Sequence, residues 1–300
     1  MKLLFATSEC APYSKSGGLA DVAFSLPPAL KKAGNEVEII TPYYKCVKDR
    51  FADEVEYVGN TYIRLGDADM YCGLFRGVLS DVPVWFVDNE ELFYRDRLYG
   101  YSDDKFRFAW FSKVVIEVLP QLDFIPDILH CNDWETALSV IYLKDDQARR
   151  SDYRNIRTVF TIHNIAYQGQ FGVEDLTTTF ALDPGWYEGA LGYEYENRHD
   201  VNLMKGAMLM ADAVSTVSPQ YARELHMHEY GKGLEGVCDL VESKMYGILN
   251  GIDPDHYDPS KDPRIPCNFS AAIKDGKETC KEYIQETFGL KKEKDWPLFA

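Results

Sequence analysis

Lys15-Ser16-Gly17-Gly18-Leu19-Ala20-Asp21 (KSGGLAD) follows closely on an apolar run over residues 2–8 and opens a stretch with helical periodicity. The unbroken apolar residues Leu3, Leu4, Phe5 and Ala6 are what a parallel strand buried on both faces requires. Over residues 19–33, Leu19, Val22, Ala23, Leu26 and Leu30 recur at helical spacing, and Gly34 supplies the stop. Between strand and helix, Gly17 and Gly18 lack a Cβ. They therefore permit positive φ and let a phosphate oxygen approach main-chain amides at a helix start, with Lys15 as a mobile positive charge beside them. A glycine pair can also do no more than close a tight turn. Strand, lysine and helix together favour the anion site.

Working outward, further short strand-like runs cover residues 36–41, 125–131, 156–161, 213–217 and 245–249. Helical stretches cover 103–119, 135–146, 201–211 and 219–225, and a last amphipathic one covers 274–290. This alternation predicts an α/β fold, a Rossmann-like doubly wound sheet that is mostly parallel. Over residues 55–87 the pattern turns to period two, broken at Gly59, Gly66, Gly73 and Asp81-Val82-Pro83. An antiparallel hairpin or meander inserted at one edge is expected there. Residues 92–104 (LFYRDRLYGYSDD) have no clear period and read as a surface loop. Its aromatic and arginine content suits sugar contacts, which makes Tyr94 a candidate on the acceptor side.

Composition narrows the partners. With 32 basic against 48 acidic residues the net charge is −16, which argues against nucleic acid and against an anionic membrane surface. A neutral polysaccharide is indifferent to that charge, and an acidic surface also simply aids solubility. The seven cysteines are scattered, with no C-x-x-C pair, so neither a disulfide framework nor a zinc site is expected. His226 and His228, next to Glu229, stand two apart and do not share a helical face, so no metal is expected. The apolar run at the start breaks at Thr7 and carries Glu9, unlike a signal peptide, and no window of about 18 apolar residues occurs. A cytoplasmic protein is expected.

KSGGLADV resembles the K-[ST]-G-G-L loop of the bacterial glycogen synthase and plant starch synthase family. CNDWETAL (131–138), TIHNIAYQGQF (161–171), STVSPQYAREL (215–225), YGKGLEGV (230–237) and GILNGIDPDHYDP (247–259) resemble that family too, and in its order. The resemblance covers nearly the whole chain. It implies the N-terminal, acceptor-side half of a two-domain GT-B glycosyltransferase over residues 1–290. Residues 291–300 would be a linker and the first residues of a missing C-terminal nucleotide-sugar domain of the same chain. The implied reaction moves glucose from ADP-glucose to the non-reducing end of an α-1,4-glucan such as glycogen, with retention. It needs no cofactor beyond the donor substrate. The Arg/Lys pair and acidic residue that the family places in its second domain are absent, so this chain alone is expected to be inactive.

Each motif follows a predicted strand, where ligands bind in open α/β sheets. His163 of TIHN reads on its own as a loop histidine; the resemblance implies contact with the donor glucose, with Asn164 beside it. Asp133 reads as a helix N-cap for 135–146, and by resemblance as an active-centre carboxylate, compatible with capping. The family usually has H-x-H-D-W where this chain has His130-Cys131-Asn132-Asp133-Trp134. The role of the second histidine therefore does not carry over. Lys15, Gly17 and Gly18 would meet the donor diphosphate. Asp21 complements a helix dipole, or by resemblance touches a substrate hydroxyl. Asn250 is a turn signal, or by resemblance faces the cleft. Two alternatives stand beside this reading. One is a related GT-B enzyme using UDP-glucose. The other is a non-catalytic glucan-binding module, which suits 20 tyrosines but has no need of a phosphate cradle.

Overall fold

The computed structural model describes residues 1–147, 150–195, 198–254 and 256–299. It divides into two compact units, Met1–Asn250 and Gly251–Ala300, so the division falls well before the 290/291 boundary read from the sequence.

The first unit carries twelve strands among the described residues: β1 (Lys2–Ala6), β2 (Glu36–Pro42), β3 (Glu56–Leu65), β4 (Ala68–Leu79), β5 (Val82–Asp88), β6 (Ile128–Asn132), β7 (Arg157–Ile162), β8 (Gln170–Gly172), β9 (Gly192–Tyr195), β10 (Arg198–Asn202), β11 (Ala213–Thr216) and β12 (Met245–Gly247). Nine form one sheet in the order β12-β11-β7-β6-β1-β2-β5-β4-β3. From β12 to β5 all pairings are parallel, and β4 and β3 add antiparallel pairs at the edge. The mostly parallel sheet and its inserted hairpin match the expectation. One refinement is that β5 pairs in parallel with β2 and so belongs to the central sheet, leaving β3 and β4 as the hairpin.

The chain leaves β1 for β2 on one side and later returns to β6 on the other. That reversal opens a crevice beyond the carboxyl ends of β1 and β6, the place where open α/β sheets bind ligands. Leu4, Phe5, Ile39, Phe86, Leu129 and Phe160 are fully buried, each contributing about 1.5–3 kcal/mol by leaving water. The helices Asp104–Glu117 and Ala137–Gln147 are buried nearly all round, as helices covering a sheet in a large core must be.

Two element expectations need correction. Residues 201–211 were expected to be helical from the start. Instead Val201 and Asn202 pair with β8, and the helix runs Leu203–Met210 with the Asn202 side chain accepting from the Lys205 amide at 2.9 Å. A second sheet, β8-β10-β9, was not foreseen. In the second unit the helix Asp275–Thr287 matches the expected 274–290 stretch. Its Gly276 lies so close to the Asn268 carbonyl that a Cβ would sit 2.2 Å from that oxygen.

Candidate functional site

The loop after β1 doubles back through a bridge between Cys10 and Ser14 before the helix Gly18–Lys32 begins. This brings Glu9, only 4 % exposed, under the helix start. Its carboxylate accepts from the Ser16 amide at 2.5 Å, the Gly17 amide at 3.0 Å, the Ser16 hydroxyl at 2.7 Å and the Tyr99 hydroxyl at 2.9 Å. Of the two glycine amides expected to meet a phosphate, that of Gly17 therefore already holds an anion belonging to the chain, while that of Gly18 makes no bond to Glu9 among the described residues. Gly17 has φ −144° and Gly18 is not in the left-handed region, so neither glycine is used for positive φ. What they provide is room: a Cβ on either would meet nothing within 4 Å. Lys15 Nζ pairs with both carboxylate oxygens of Asp21, at 2.6 and 2.8 Å, on a half-exposed surface. These two predicted residues thus come together.

Asp133 follows β6 with φ +54°, a conformation that an aspartate adopts seldom and that marks functional loops. Its side chain does not cap the following turn. Instead Oδ1 reaches across to the end of β7 and accepts from the His163 amide at 2.8 Å and, more weakly, from the Asn164 amide at 3.4 Å. The N-cap reading is corrected accordingly. Burial pushes the Asp133 carboxyl up to about 7, against the pull of those two amides. Two residues on, Glu135 is buried; desolvation and the Asp133 charge hold its carboxyl well above the usual carboxylate range. His163 is held down to about 4 by burial, so at neutral pH it is an uncharged imidazole. Its Nε2 lies 2.9 Å from Asn132 Oδ1. Behind it, His130 Nε2 meets Thr161 Oγ1 at 2.6 Å and Thr161 meets Ser215 Oγ at 2.7 Å, tying the ends of β6, β7 and β11 together.

Asn164 is exposed, and its Oδ1 accepts from the Ala166 amide at 3.0 Å, shaping the turn into the next segment. That segment, with Trp134, walls a cavity of about 540 Å³ whose lining includes Tyr101, Asp104, Gln168, Phe171 and Lys232. Gln168 is fixed by its contacts: Nε2 donates to the Lys232 carbonyl, and Oε1 accepts from Asn202 and Gln170. Gly169 is required at this wall, since it has φ +65° and a Cβ would come within 2.8 Å of the Trp134 ring. Aromatic faces beside amide, carboxylate and ammonium groups are a lining suited to sugars.

Two candidates make no hydrogen bond to Asp133 or His163 among the described residues. Tyr94 has Lys45 and Lys48 over its ring and its hydroxyl 3.4 Å from Asp49. Asn250 is exposed, past the end of β12, as the last residue of the first unit. His226 and His228 each bond a separate carboxylate, Asp239 at 2.6 Å and Glu235 at 2.7 Å.

A family model described as the starch synthase catalytic domain matches residues 2–239. This chain belongs to that family. Among its relatives, glycogen synthases from Streptococcus equi subsp. zooepidemicus and Ligilactobacillus salivarius are 43% and 40% identical to it, each alignment covering 100% of this chain and 62% and 63% of the relative. The catalytic domain of starch synthase IV from Arabidopsis thaliana, solved bound to ADP and acarbose, superposes with a TM-score of 0.86 at 33% identity, covering 97% of this chain and 59% of that one. The chain thus spans about three-fifths of the length of the relatives it matches. Sequence reading passes over Glu9, Asn132 and Glu135 as site-forming residues. The signal for Glu9 was an acidic residue between the first strand and a helix start. For the other two it was an N-D-x-E run at a strand end.

Proposed function

We propose that this chain carries the acceptor-side part of a two-domain GT-B glycogen synthase, which transfers glucose from ADP-glucose to the non-reducing end of an α-1,4-glucan with retention. The observation that carries the reading is the Asp133–His163 cluster at the crevice of the parallel sheet, next to a cavity lined by Trp134, Tyr101 and Phe171. The names of the relatives and the ADP and acarbose of the Arabidopsis structure support it. His163, neutral at physiological pH, would hold a donor-sugar hydroxyl, and the cavity would take the glucan end. Asp133 would hold the His163 loop in place. Because Glu9 occupies the Ser16 and Gly17 amides, Lys15 would meet the diphosphate by exchanging Asp21 for a phosphate oxygen. The room left by Gly17 and Gly18 would admit it. No resident metal or cofactor enters the proposal, and the reaction is placed in the cytoplasm with its soluble donor.

A leaving diphosphate needs more positive charge than Lys15 supplies. Residues 1–300 alone should therefore give no measurable transfer, while a chain of the relatives' length should transfer glucose to glycogen. Incorporation of labelled glucose, with ADP-glucose and UDP-glucose in parallel, tests this. Turnover with UDP-glucose alone would reassign the donor. Failure with both by a folded long chain that still retains glycogen would favour the glucan-binding module, which the cavity also fits.

A further inference from the structure

Asn132 ends β6 and is completely buried. Its backbone amide donates to Thr136 Oγ1 at 2.6 Å, and its carbonyl accepts from the same hydroxyl at 2.8 Å. Its side-chain Nδ2 donates to the Ala6 carbonyl of the neighbouring strand at 3.0 Å and, at longer range, to the His130 carbonyl at 3.4 Å. Those two carbonyls can only accept, so they settle which way the amide points. The remaining atom, Oδ1, faces His163 Nε2 at 2.9 Å. An amide oxygen has no proton to give. Nε2 must therefore carry the hydrogen, and in the neutral ring Nδ1 is left as a bare acceptor. No hydrogen bond to Nδ1 is made among the described residues. Asp133 meanwhile pins the His163 amide, so ring and backbone are fixed from two adjacent residues of one strand end.

We propose that Asn132 is the positioning residue that locks His163 as its Nε2–H tautomer, so that Nδ1 receives a hydroxyl proton from a bound ligand and disfavours an anionic group in that position. That Nε2 carries the hydrogen stands on geometry alone, and the bare Nδ1 follows once the ring is neutral. That the hydroxyl belongs to a sugar rests on the glucosyl-transfer reading. The sequence had marked this position only as a departure from a motif that usually carries a second histidine. The structure gives the asparagine a definite task, which a histidine could share only with an unprotonated nitrogen turned toward Nε2.

The test is long-range proton–nitrogen NMR of this chain labelled with ¹⁵N-histidine, at neutral pH. His163, assigned by loss of its signals in His163→Gln, should show a protonated Nε2 and an unprotonated Nδ1 in the unsubstituted protein. A protonated Nδ1 there overturns the proposal with no variant needed. Asn132→Leu removes the acceptor and should give averaged or reversed tautomer shifts; an unchanged Nε2–H pattern in that folded variant also overturns it. Should Asn132→Leu not fold, Asn132→Asp, which keeps an acceptor of the same shape, must retain the protonated Nε2, and loss of it refutes the lock. In a chain of the relatives' length, Asn132→Leu should lower kcat/KM for the donor about tenfold, the value of one hydrogen bond, with Asn132→Asp less affected. If the unsubstituted long chain transfers no glucose while the NMR pattern holds, the functional reading fails and the tautomer assignment survives.

Discussion

Replacing Asp133 by Asn tests the electrostatics of the site without disturbing its frame, because the amide oxygen can still accept from the His163 and Asn164 amides. The native carboxyl titrates near 7 because it is buried, whereas an aspartate in the unfolded chain titrates near about 3.9. With the folded value above the unfolded one, the native state binds the extra proton between those limits. The stability this group contributes is present below about pH 3.9 and is lost as pH rises toward 7. Three units at about 1.36 kcal/mol each set a ceiling of about 4 kcal/mol, and partial solvent access lowers the expected loss to about 2–4 kcal/mol. His163 works with the opposite sign: its folded value near 4 lies below the unfolded one, so its contribution is lost as pH falls. That term is common to both proteins and cancels in their difference. Urea unfolding of Asp133→Asn and of the parent between pH 4.5 and 7.5 should show the variant gaining on the parent by about 2–4 kcal/mol as pH rises. Glu135 adds to the rise, since removing the Asp133 charge eases its own ionisation. A difference flat to within about 0.5 kcal/mol would mean that Asp133 ionises like a surface carboxylate, and the argument from burial would fall.

Three further outcomes are expected. Glu9→Ala leaves two amides and the Tyr99 hydroxyl without their carboxylate and should cost about 2–4 kcal/mol in urea unfolding, with sulfate then stabilising the variant more than the parent; a cost below about 0.5 kcal/mol would show that Glu9 does not hold the loop. Gly169→Ala must adopt a left-handed conformation with its Cβ against the Trp134 ring and should lose about 2 kcal/mol or more, seen as a lower urea midpoint with altered tryptophan emission; an unchanged midpoint counts against the packing. Iodoacetamide at neutral pH should modify Cys267 and Cys280 of the folded chain first and half-buried Cys46 more slowly, because burial raises its thiol, and should spare Cys10, Cys72, Cys131 and Cys238, which are buried and whose thiols burial raises far above neutrality. Rapid modification of a fourth thiol, counted by mass spectrometry, would contradict that burial.

Much of the fold could be read from the chain because its signals are local and long enough to register. The apolar run of β1 and the helix Gly18–Lys32 announce themselves, even though Pro27 and Pro28 lie buried inside that helix. What stayed hidden depended on pairing rather than period. β8, β9 and β10 have three to five residues each, too few to show alternation. The start of the helix Leu203–Met210 is set by the ladder that claims Val201 and Asn202. The motifs placed Asp133 and His163 after neighbouring strands, which is why their meeting was foreseeable. Asn132, filed under mismatch, was not, since its role appears only when the Ala6 carbonyl fixes its amide.

In the glycine loop one of the two glycine amides is already engaged from within the chain. Helix-start amides attract an anion, and in this chain Glu9, tethered a few residues away, holds the Ser16 and Gly17 amides at an effective concentration that a dilute ligand cannot match. At the Ser16 and Gly17 amides an incoming diphosphate would have to displace a carboxylate that also holds Tyr99, and through it the 92–104 loop. Lys15 faces a smaller obstacle, because its partner Asp21 is half exposed and such a pair is worth about 0–1 kcal/mol. Exchange at Lys15 is therefore the easier route by several hydrogen bonds. The two glycines then matter for the space they leave beside that lysine, and the positive φ that first drew attention to them plays no part.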